Sequence, residues 1–147
     1  MIQPVLPLIL ASGSPRRREL LDLMGLTYTV ETPDVDESFS GRPSETVMEI
    51  SRRKAAAVAA RHSDSIIIAA DTLVFADGAL GKPHTPERAA QMLRRLSGMH
   101  HTVYTGIAVA RGERMTVECE GSRVCFRELS EDDIGRYVAT GEPLDKA

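Results

Sequence analysis

Two short, uninterrupted apolar runs constrain the fold of this chain more than any other feature. Residues 8–11 read LILA and end at SGS, and residues 65–70 read SIIIAA and end at Asp71 and Thr72. A short apolar run bounded by small or polar residues is typical of a strand buried on both faces, as in parallel sheets covered by helices. Helical patterns follow in sequence, so an α/β domain is predicted.

Four helices and several further strands complete this prediction. Each helix has its own signals: Pro15 at a first position and Gly25 at an end, Ser44 and Thr85 as caps, and Ser130 with Asp133 at capping-box spacing. The helices are expected over residues 15–25, 44–61, 85–98 and 130–140, and further strands over 28–31, 73–76, 79–80, 101–110 and 115–126. The later strands lack helices between them, so the sheet is expected to be mixed and flanked by helices.

Composition limits the class of protein. At 147 residues and 42% hydrophobic content, the chain suits one domain over residues 1–147, and its net charge of −3 argues against a nucleic-acid or membrane-surface binder. There is no run of ~20 apolar residues and no basic segment before the first apolar stretch, so we expect a cytoplasmic protein without a membrane span. Cys119 and Cys125 lie in a predicted strand and are expected to be reduced, partly buried thiols.

A basic turn follows the first apolar run. Ser12, Gly13 and Ser14 lead into Arg16, Arg17 and Arg18 where a strand is followed by a helix. Cations oppose the dipole at a helix N-terminus, which favours an anion held by backbone N–H groups and arginines. A solvated first helical turn is the alternative. The turn is not a P-loop, because the spacing G-x-x-x-x-G-K-[ST] is absent.

Carboxylates and lysines are the other candidates for chemistry. Asp71 is expected just past the end of a buried strand, where open α/β sheets place reactive groups, although a structural turn aspartate is the alternative. The polar loop 32–45 carries Asp34, Asp36 and Glu37, which by default are solvated but together with phosphates are ligands for Mg²⁺ or Mn²⁺. Lys54 and Lys82 are surface lysines by default.

Five segments in this order and spacing resemble the Maf family of nucleoside triphosphate pyrophosphatases. They are LILASGSPRRRELL, DVDES, AADTLVF, GKPHTPERAAQMLRRLSG and GEPLDKA, and they cover about residues 8–147. The resemblance implies a cytoplasmic, metal-dependent hydrolase that splits a nucleoside triphosphate into monophosphate and pyrophosphate. It also implies an α/β fold similar to the inosine triphosphatase (Maf/Ham1) type.

The resemblance assigns roles to eight residues. Asp71 is the proton acceptor, Glu37 and Asp71 hold Mg²⁺ or Mn²⁺, and the substrate-binding residues are Ser12, Arg16, Arg17, Lys54, Thr72 and Lys82. The pair Asp71-Thr72 resembles the branch that takes dTTP and UTP, in which Arg16 and Thr72 bear on base choice. The partner is then a nucleoside triphosphate, with no nucleic-acid polymer and no membrane, and a homodimer is allowed for.

Three other functions remain as alternatives. A nucleotide-binding regulator of cell division or septum formation would have little catalysis, and a 7-methyl-GTP pyrophosphatase would share the fold but tends to show Ser-Asp-Gln at the Asp71 position. A Rossmann-type dinucleotide binder is disfavoured, because no G-x-G-x-x-G follows either apolar run.

The chain departs from the family pattern at its end. Members continue after DKA with a segment containing GIQG, whereas this sequence ends at Ala147. We therefore expect a domain that lacks the family's C-terminal segment, with impaired catalysis and looser base selection.

Overall fold

The computed structural model describes residues 4–145. The strands described are β1 (Leu8–Leu10), β2 (Thr29–Val30), β3 (Ile66–Phe75), β4 (Ala79–Leu80), β5 (His100–Arg111) and β6 (Arg114–Cys125). The helices are α1 (Pro15–Leu23), α2 (Pro43–Ala59), α3 (Pro86–Leu96) and α4 (Glu131–Ala139), followed by a short 3-10 turn at Glu142–Asp145. Lys146 and Ala147, which end the GEPLDKA motif, lie outside the described residues.

The strands form the mixed sheet that the sequence predicted. Their order is β2-β1-β3-β5-β6, with β4 paired to β3. β1 is parallel to β2, with Ile9 opposite Thr29, and parallel to β3, with Ile9 opposite Ile67. Parallel strands need crossover connections, and α1 and α2 provide them. Strand β4 runs antiparallel to β3 after a two-residue turn at Asp77 and Gly78, both of which have positive φ.

The two apolar runs are buried strands, but β3 is longer than predicted. All three residues of β1 are buried, as are Ile67 and Ala69 in β3. The polar pair Asp71-Thr72 does not end the strand, which continues to Phe75. Both polar side chains are only partly buried, so the strand accommodates them, and β4 pairs with the residues beyond them, Val74 and Phe75. Asp71 therefore lies inside β3, and the prediction that it follows the strand is wrong.

The chain divides into two compact units, which we describe separately. The first comprises Met1–Asp71 and Thr105–Glu120, the second Thr72–Tyr104 and Gly121–Ala147. In the first unit α2 packs on the sheet through small side chains, and the buried cluster consists of Ile9, Ala11, Ala55, Val58, Ala59, Ile67, Ala69, Ala108 and Ala110. The backbone of α2 comes so close to β5 that a Cβ on Gly106 would stand 2.3 Å from the Val47 carbonyl oxygen.

The second unit contains α3 and α4, whose caps are as predicted. The Thr85 side chain accepts a hydrogen bond from the Arg88 N–H, and Ser130 and Asp133 form a reciprocal capping box. Hydrogen bonds from the Ser130 backbone and from Arg127 lower the pKa of Asp133 to about 2. The unit also contains a small buried cluster of Val74, Leu80 and Leu96.

Three local predictions differ from the structure. Helix α2 begins at Pro43 with Arg42 as its cap, two residues before the predicted Ser44 cap, because proline is pre-organised for the first helical position. Strand β2 has two residues instead of four. Both cysteines are free as expected, but only Cys119 is partly buried; Cys125 is exposed at the last residue of β6.

The close approach at Gly106 yields a stability prediction. Gly106→Ala should lower the free energy of unfolding by about 1–3 kcal/mol, because the added methyl meets backbone atoms that cannot rotate away. Chemical denaturation of the purified variant measures this loss. Gly135→Ala is the control: nothing lies near a Cβ at this helical position, so this change should stabilise the protein by up to about 1 kcal/mol. Equal stability of the Gly106 variant and the parent would contradict the predicted clash.

Candidate functional site

The basic turn between β1 and α1 is built around a buried serine. The Ser12 Oγ accepts hydrogen bonds from Arg17 Nη1 at 2.8 Å and from the Ser14 N–H at 3.2 Å. Arg17 Nη1 also donates to the Ala70 carbonyl at 3.0 Å. Arg17 thus ties the turn to the segment of β3 that directly precedes Asp71.

The three arginines of the turn have different surroundings. Arg17 is partly buried; burial lowers its pKa, the nearby Asp71 acts in the opposite direction, and Arg16 lowers it further. The guanidinium remains charged at neutral pH, since its ordinary pKa lies far above that range. Arg16 is exposed in the first turn of α1, and Arg18 donates to the Gly13 carbonyl at 3.3 Å. A single basic cluster in the sequence therefore becomes one partly buried cation and two exposed ones.

The N-terminus of α1 lacks the side-chain cap that α3 and α4 have. Ser14 occupies the cap position with extended backbone, but its side chain accepts no cap hydrogen bond, and the first turn contains no acidic residue. The first N–H groups of a helix need partners from outside it. An anion next to the Arg17 guanidinium suits this end of α1.

A lysine lies between two carboxylates in the same unit. Lys54 Nζ lies 3.0 Å from Glu37 Oε1 and 3.4 Å from Asp71 Oδ1. The Lys54 and Asp71 side chains are 16% and 19% exposed, whereas Glu37 is 58% exposed, so the ammonium is sheltered on one side and open on the other. The longer contact is an ion pair beyond ordinary hydrogen-bond length. Helix α2, strand β3 and the acidic loop thus meet at one charged group.

Asp71 has a perturbed carboxyl group. Burial raises its pKa above 3.8, the Lys54 ammonium lowers it, and the Glu37 carboxylate raises it. Arg17 adds a smaller effect that lowers it. Because desolvation exceeds the attraction of the cations, Asp71 holds a proton more strongly than an exposed aspartate. A carboxylate with a raised pKa is better suited to accept a proton in a reaction.

The acidic loop has several contacts that fix its path. Asp36 Oδ1 accepts hydrogen bonds from the Ser38 N–H at 2.9 Å and the Ser38 hydroxyl at 2.5 Å, and these bonds lower the pKa of Asp36. Arg53 on α2 donates to the carbonyls of Asp36 and Ser38. Glu37 lies between these two anchored residues. The third acid of the loop, Asp34, is exposed.

Glu37 and Asp71 fit a divalent cation that substrate phosphates also bind. Both carboxylates already converge on one cationic group, Lys54 Nζ. Among the residues described, no group of three or more histidine, cysteine, aspartate or glutamate side chains is placed to hold a metal ion. Mg²⁺ typically uses one or two carboxylates and completes its shell with phosphate oxygens and water, so two carboxylates are sufficient for such a site.

The first unit contains most of the predicted site residues. Those that lie together in it are Ser12, Arg17, Glu37, Lys54 and Asp71, with Arg16 adjacent on α1. Two other predicted site residues belong to the second unit: Thr72, which follows Asp71 directly in β3, and Lys82, which is exposed between β4 and α3. That unit also has a pocket of about 530 Å³, and none of the eight predicted residues lines it. The pocket is lined by Leu93, Phe126, Arg127, Leu129, Asp133, Ile134, Arg136 and Tyr137.

Two contacts in the first unit were not anticipated from the sequence. The Ala70 carbonyl accepts the Arg17 hydrogen bond, and Arg53 holds the acidic loop. A backbone acceptor carries no signal in a sequence. Arg53 is part of the run Arg52-Arg53-Lys54, but nothing in that run distinguishes it from the exposed arginine beside it.

Fold and site define an α/β protein with a basic turn, a partly buried aspartate and a lysine held by two carboxylates. The fold is similar to that of the Staphylococcus aureus Ham1 protein, with a TM-score of 0.55 over 92% of this chain and 95% of that chain, at 14% sequence identity. At the level of sequence the relationship is closer: the chain belongs to the Maf family, since the model for Maf-like protein matches residues 7–147.

Curated relatives share about half of their residues with this chain. The dTTP/UTP pyrophosphatase of Pelotomaculum thermopropionicum is 52% identical over 95% of this chain and 76% of that protein. Those of Bacillus velezensis and Thermotoga maritima are 46% and 48% identical, again over 95% of this chain and over 76% and 70% of their own lengths. The family resemblance read from the five motifs is thereby confirmed.

A search for membrane spans covered the described part of the chain. No helix within residues 4–145 is long and apolar enough to cross a bilayer.

The position of Lys54 leads to a prediction about Asp71. Lys54→Met should raise the pKa of the Asp71 carboxyl further, because the ammonium that favours the ionised form is lost while burial and Glu37 remain. An NMR titration of side-chain carboxyl carbons measures the change. Arg52→Met removes a positive charge two residues earlier on α2, from a side chain that pairs with Glu49, and should leave the Asp71 pKa unchanged. An unchanged or lower pKa in the Lys54 variant would contradict the contact.

Proposed function

We propose that this protein hydrolyses nucleoside triphosphates, with dTTP and UTP preferred, to the monophosphate and pyrophosphate. The observation that carries the proposal is the Lys54 ammonium held between Asp71 and Glu37 in the unit that also contains Arg17 and the uncapped start of α1. Relatives named dTTP/UTP pyrophosphatase at 46–52% identity support the same activity.

Binding of the triphosphate uses the positive groups of this cluster. Backbone N–H groups at the start of α1 and the Arg17 guanidinium suit phosphate oxygens, and Ser12 keeps the guanidinium in place. Lys54 adds a compact charge that also reaches Asp71. Fixed cations stabilise charge that develops on the phosphates and on the leaving group.

Asp71 is the proposed proton acceptor. A water molecule attacks the α-phosphorus: its oxygen forms the new P–O bond while the bond from the α-phosphorus to the bridging oxygen breaks, and pyrophosphate leaves with that electron pair. The Asp71 carboxylate orients this water and accepts its proton, which then passes to solvent. Its raised pKa brings it closer to the operating range of a general base than an exposed aspartate would be.

A divalent cation, Mg²⁺ or Mn²⁺, is part of the proposal. Glu37 and Asp71 are the residues that would hold it. When bound, such an ion polarises a phosphate oxygen and offsets negative charge.

The proposal also assigns roles to two residues of the second unit, Thr72 and Lys82. Arg16 and Thr72 are proposed to influence the choice of pyrimidine, and Lys82 to bind the leaving pyrophosphate. Support comes from the motifs SPRR, ADT and GKP, in which these residues stand, and from the exposed position of Arg16 and Lys82.

We also propose that the protein acts in the cytoplasm and allow for a homodimer. The two free cysteines, Cys119 and Cys125, support a reducing compartment.

A nucleotide panel tests the activity directly. The protein is incubated with dTTP, UTP, CTP, ATP, GTP and 7-methyl-GTP in the presence of Mg²⁺ or Mn²⁺, and pyrophosphate and orthophosphate are scored separately. We expect dTTP and UTP to be the best substrates, pyrophosphate to be the product, and chelation of the metal to stop turnover. A preference for 7-methyl-GTP or release of orthophosphate would overturn the assignment. Nucleotide binding without hydrolysis would favour the regulator instead.

A further inference from the structure

Arg53 lies next to Lys54 on α2 but contacts a different part of the molecule. Its Nη1 group donates to the Asp36 carbonyl at 2.9 Å and to the Ser38 carbonyl at 2.7 Å. A guanidinium nitrogen of this type carries two hydrogens, so one group satisfies both carbonyls. The two acceptors are the residues on either side of Glu37.

Two neighbours orient the Arg53 guanidinium. Its Nε donates to Glu49 Oε1 at 3.0 Å, one turn earlier on α2. On the loop side it lies 5.8 Å from the centre of the Phe39 ring, within the range of a cation–π contact. The ring occupies this position because residue 41 is glycine: a Cβ there would stand 2.7 Å from the Phe39 Cε1. The Arg53 side chain is 27% exposed and is thus partly sheltered by these contacts.

Glu37 itself has little structure to hold it. It belongs to a loop without helix or strand, and its side chain is 58% exposed. Its ion pair with Lys54 is made at the end of a flexible side chain. The backbone around it is instead fixed by the two Arg53 hydrogen bonds and by the Asp36 side chain, which closes a turn onto Ser38.

We propose that Arg53 is a positioning residue for the reaction, acting through Glu37. By holding the carbonyls on both sides of Glu37, it keeps the carboxylate directed toward Lys54 and Asp71. This inference rests on the proposed function for its effect on activity, whereas its effect on the loop stands on geometry alone. Misplacing a reacting group by about 1 Å can cost on the order of 10²-fold in rate, so an anchor outside the reacting atoms can matter.

Adjacent residues on α2 provide a matched pair of variants. Arg53→Met removes the loop anchor, and Arg52→Met makes the same change one residue earlier, at a side chain that pairs with Glu49 through Nε and Nη2. Both variants lose one positive charge and one partner of Glu49, and methionine is a good helix former in each. Differences between them therefore report on the loop contacts.

The first measurement is amide hydrogen exchange of the parent and both variants. Arg53→Met should exchange faster over residues 34–41 while α2 and the sheet are unchanged, and Arg52→Met should match the parent. Unchanged exchange of this loop in Arg53→Met would overturn the inference. This readout needs no substrate and therefore holds even if the proposed activity is wrong.

The second measurement is a double-mutant cycle on pyrophosphate release, with Arg53→Met, Glu37→Gln and the double variant. Arg53→Met alone should lower kcat/KM by roughly 10- to 100-fold, and Arg52→Met by no more than a few-fold. Once Glu37 is replaced, removing Arg53 should cost little more, because its effect passes through that carboxylate. Fully additive losses would overturn the inference. An inactive parent would instead refute the proposed function, and the exchange comparison would still decide the role of Arg53 in the loop.

Discussion

The ion pair of Lys54 with Asp71 is the interaction on which the arrangement of the first unit depends. Both side chains are largely buried, and transferring either charge from water is costly unless a partner compensates it. The carboxylate still bears part of that cost, which appears as the raised pKa of Asp71. Glu37 compensates Lys54 from the open side. Two carboxylates thus face the Lys54 ammonium, one from the buried side and one from the open side.

The packing of α2 explains how these groups reach one another. Alanines on the buried side of the helix and Gly106 on β5 let its backbone approach the sheet closely, and Lys54 directly precedes one of those alanines, Ala55. Strand β3 continues through Asp71, so the backbone that carries this carboxylate is extended and held in the sheet. The same helix supplies Arg53, which holds the acidic loop. Core packing and the candidate site are thus consequences of one helix position.

Local patterns in the sequence predicted the fold well, and contacts between distant residues explain the exceptions. The apolar runs predicted β1 and the buried half of β3, and Thr85 and Ser130 predicted the starts of α3 and α4, because burial and capping are encoded within a few residues. The polar pair Asp71-Thr72 was misread as a strand end, since a polar pair does not show that the runs on either side of it, residues 65–70 and 73–76, belong to one continuous strand. Family motifs named the site residues, but the Arg17 bond to Ala70 and the Arg53 bonds to the loop join residues 15 to 53 positions apart.

The most direct test of this account is the rate of pyrophosphate release from dTTP by Asp71→Asn. The amide is nearly the same size as the carboxyl group, but it cannot accept the proton from water, so the account predicts a loss of at least ~10²-fold in kcat with the fold retained. Asp77→Asn, in the turn between β3 and β4 at a positive φ that asparagine also adopts, should match the parent. Activity of the Asp71 variant within a few-fold of the parent would contradict the account and make Asp71 a purely structural residue.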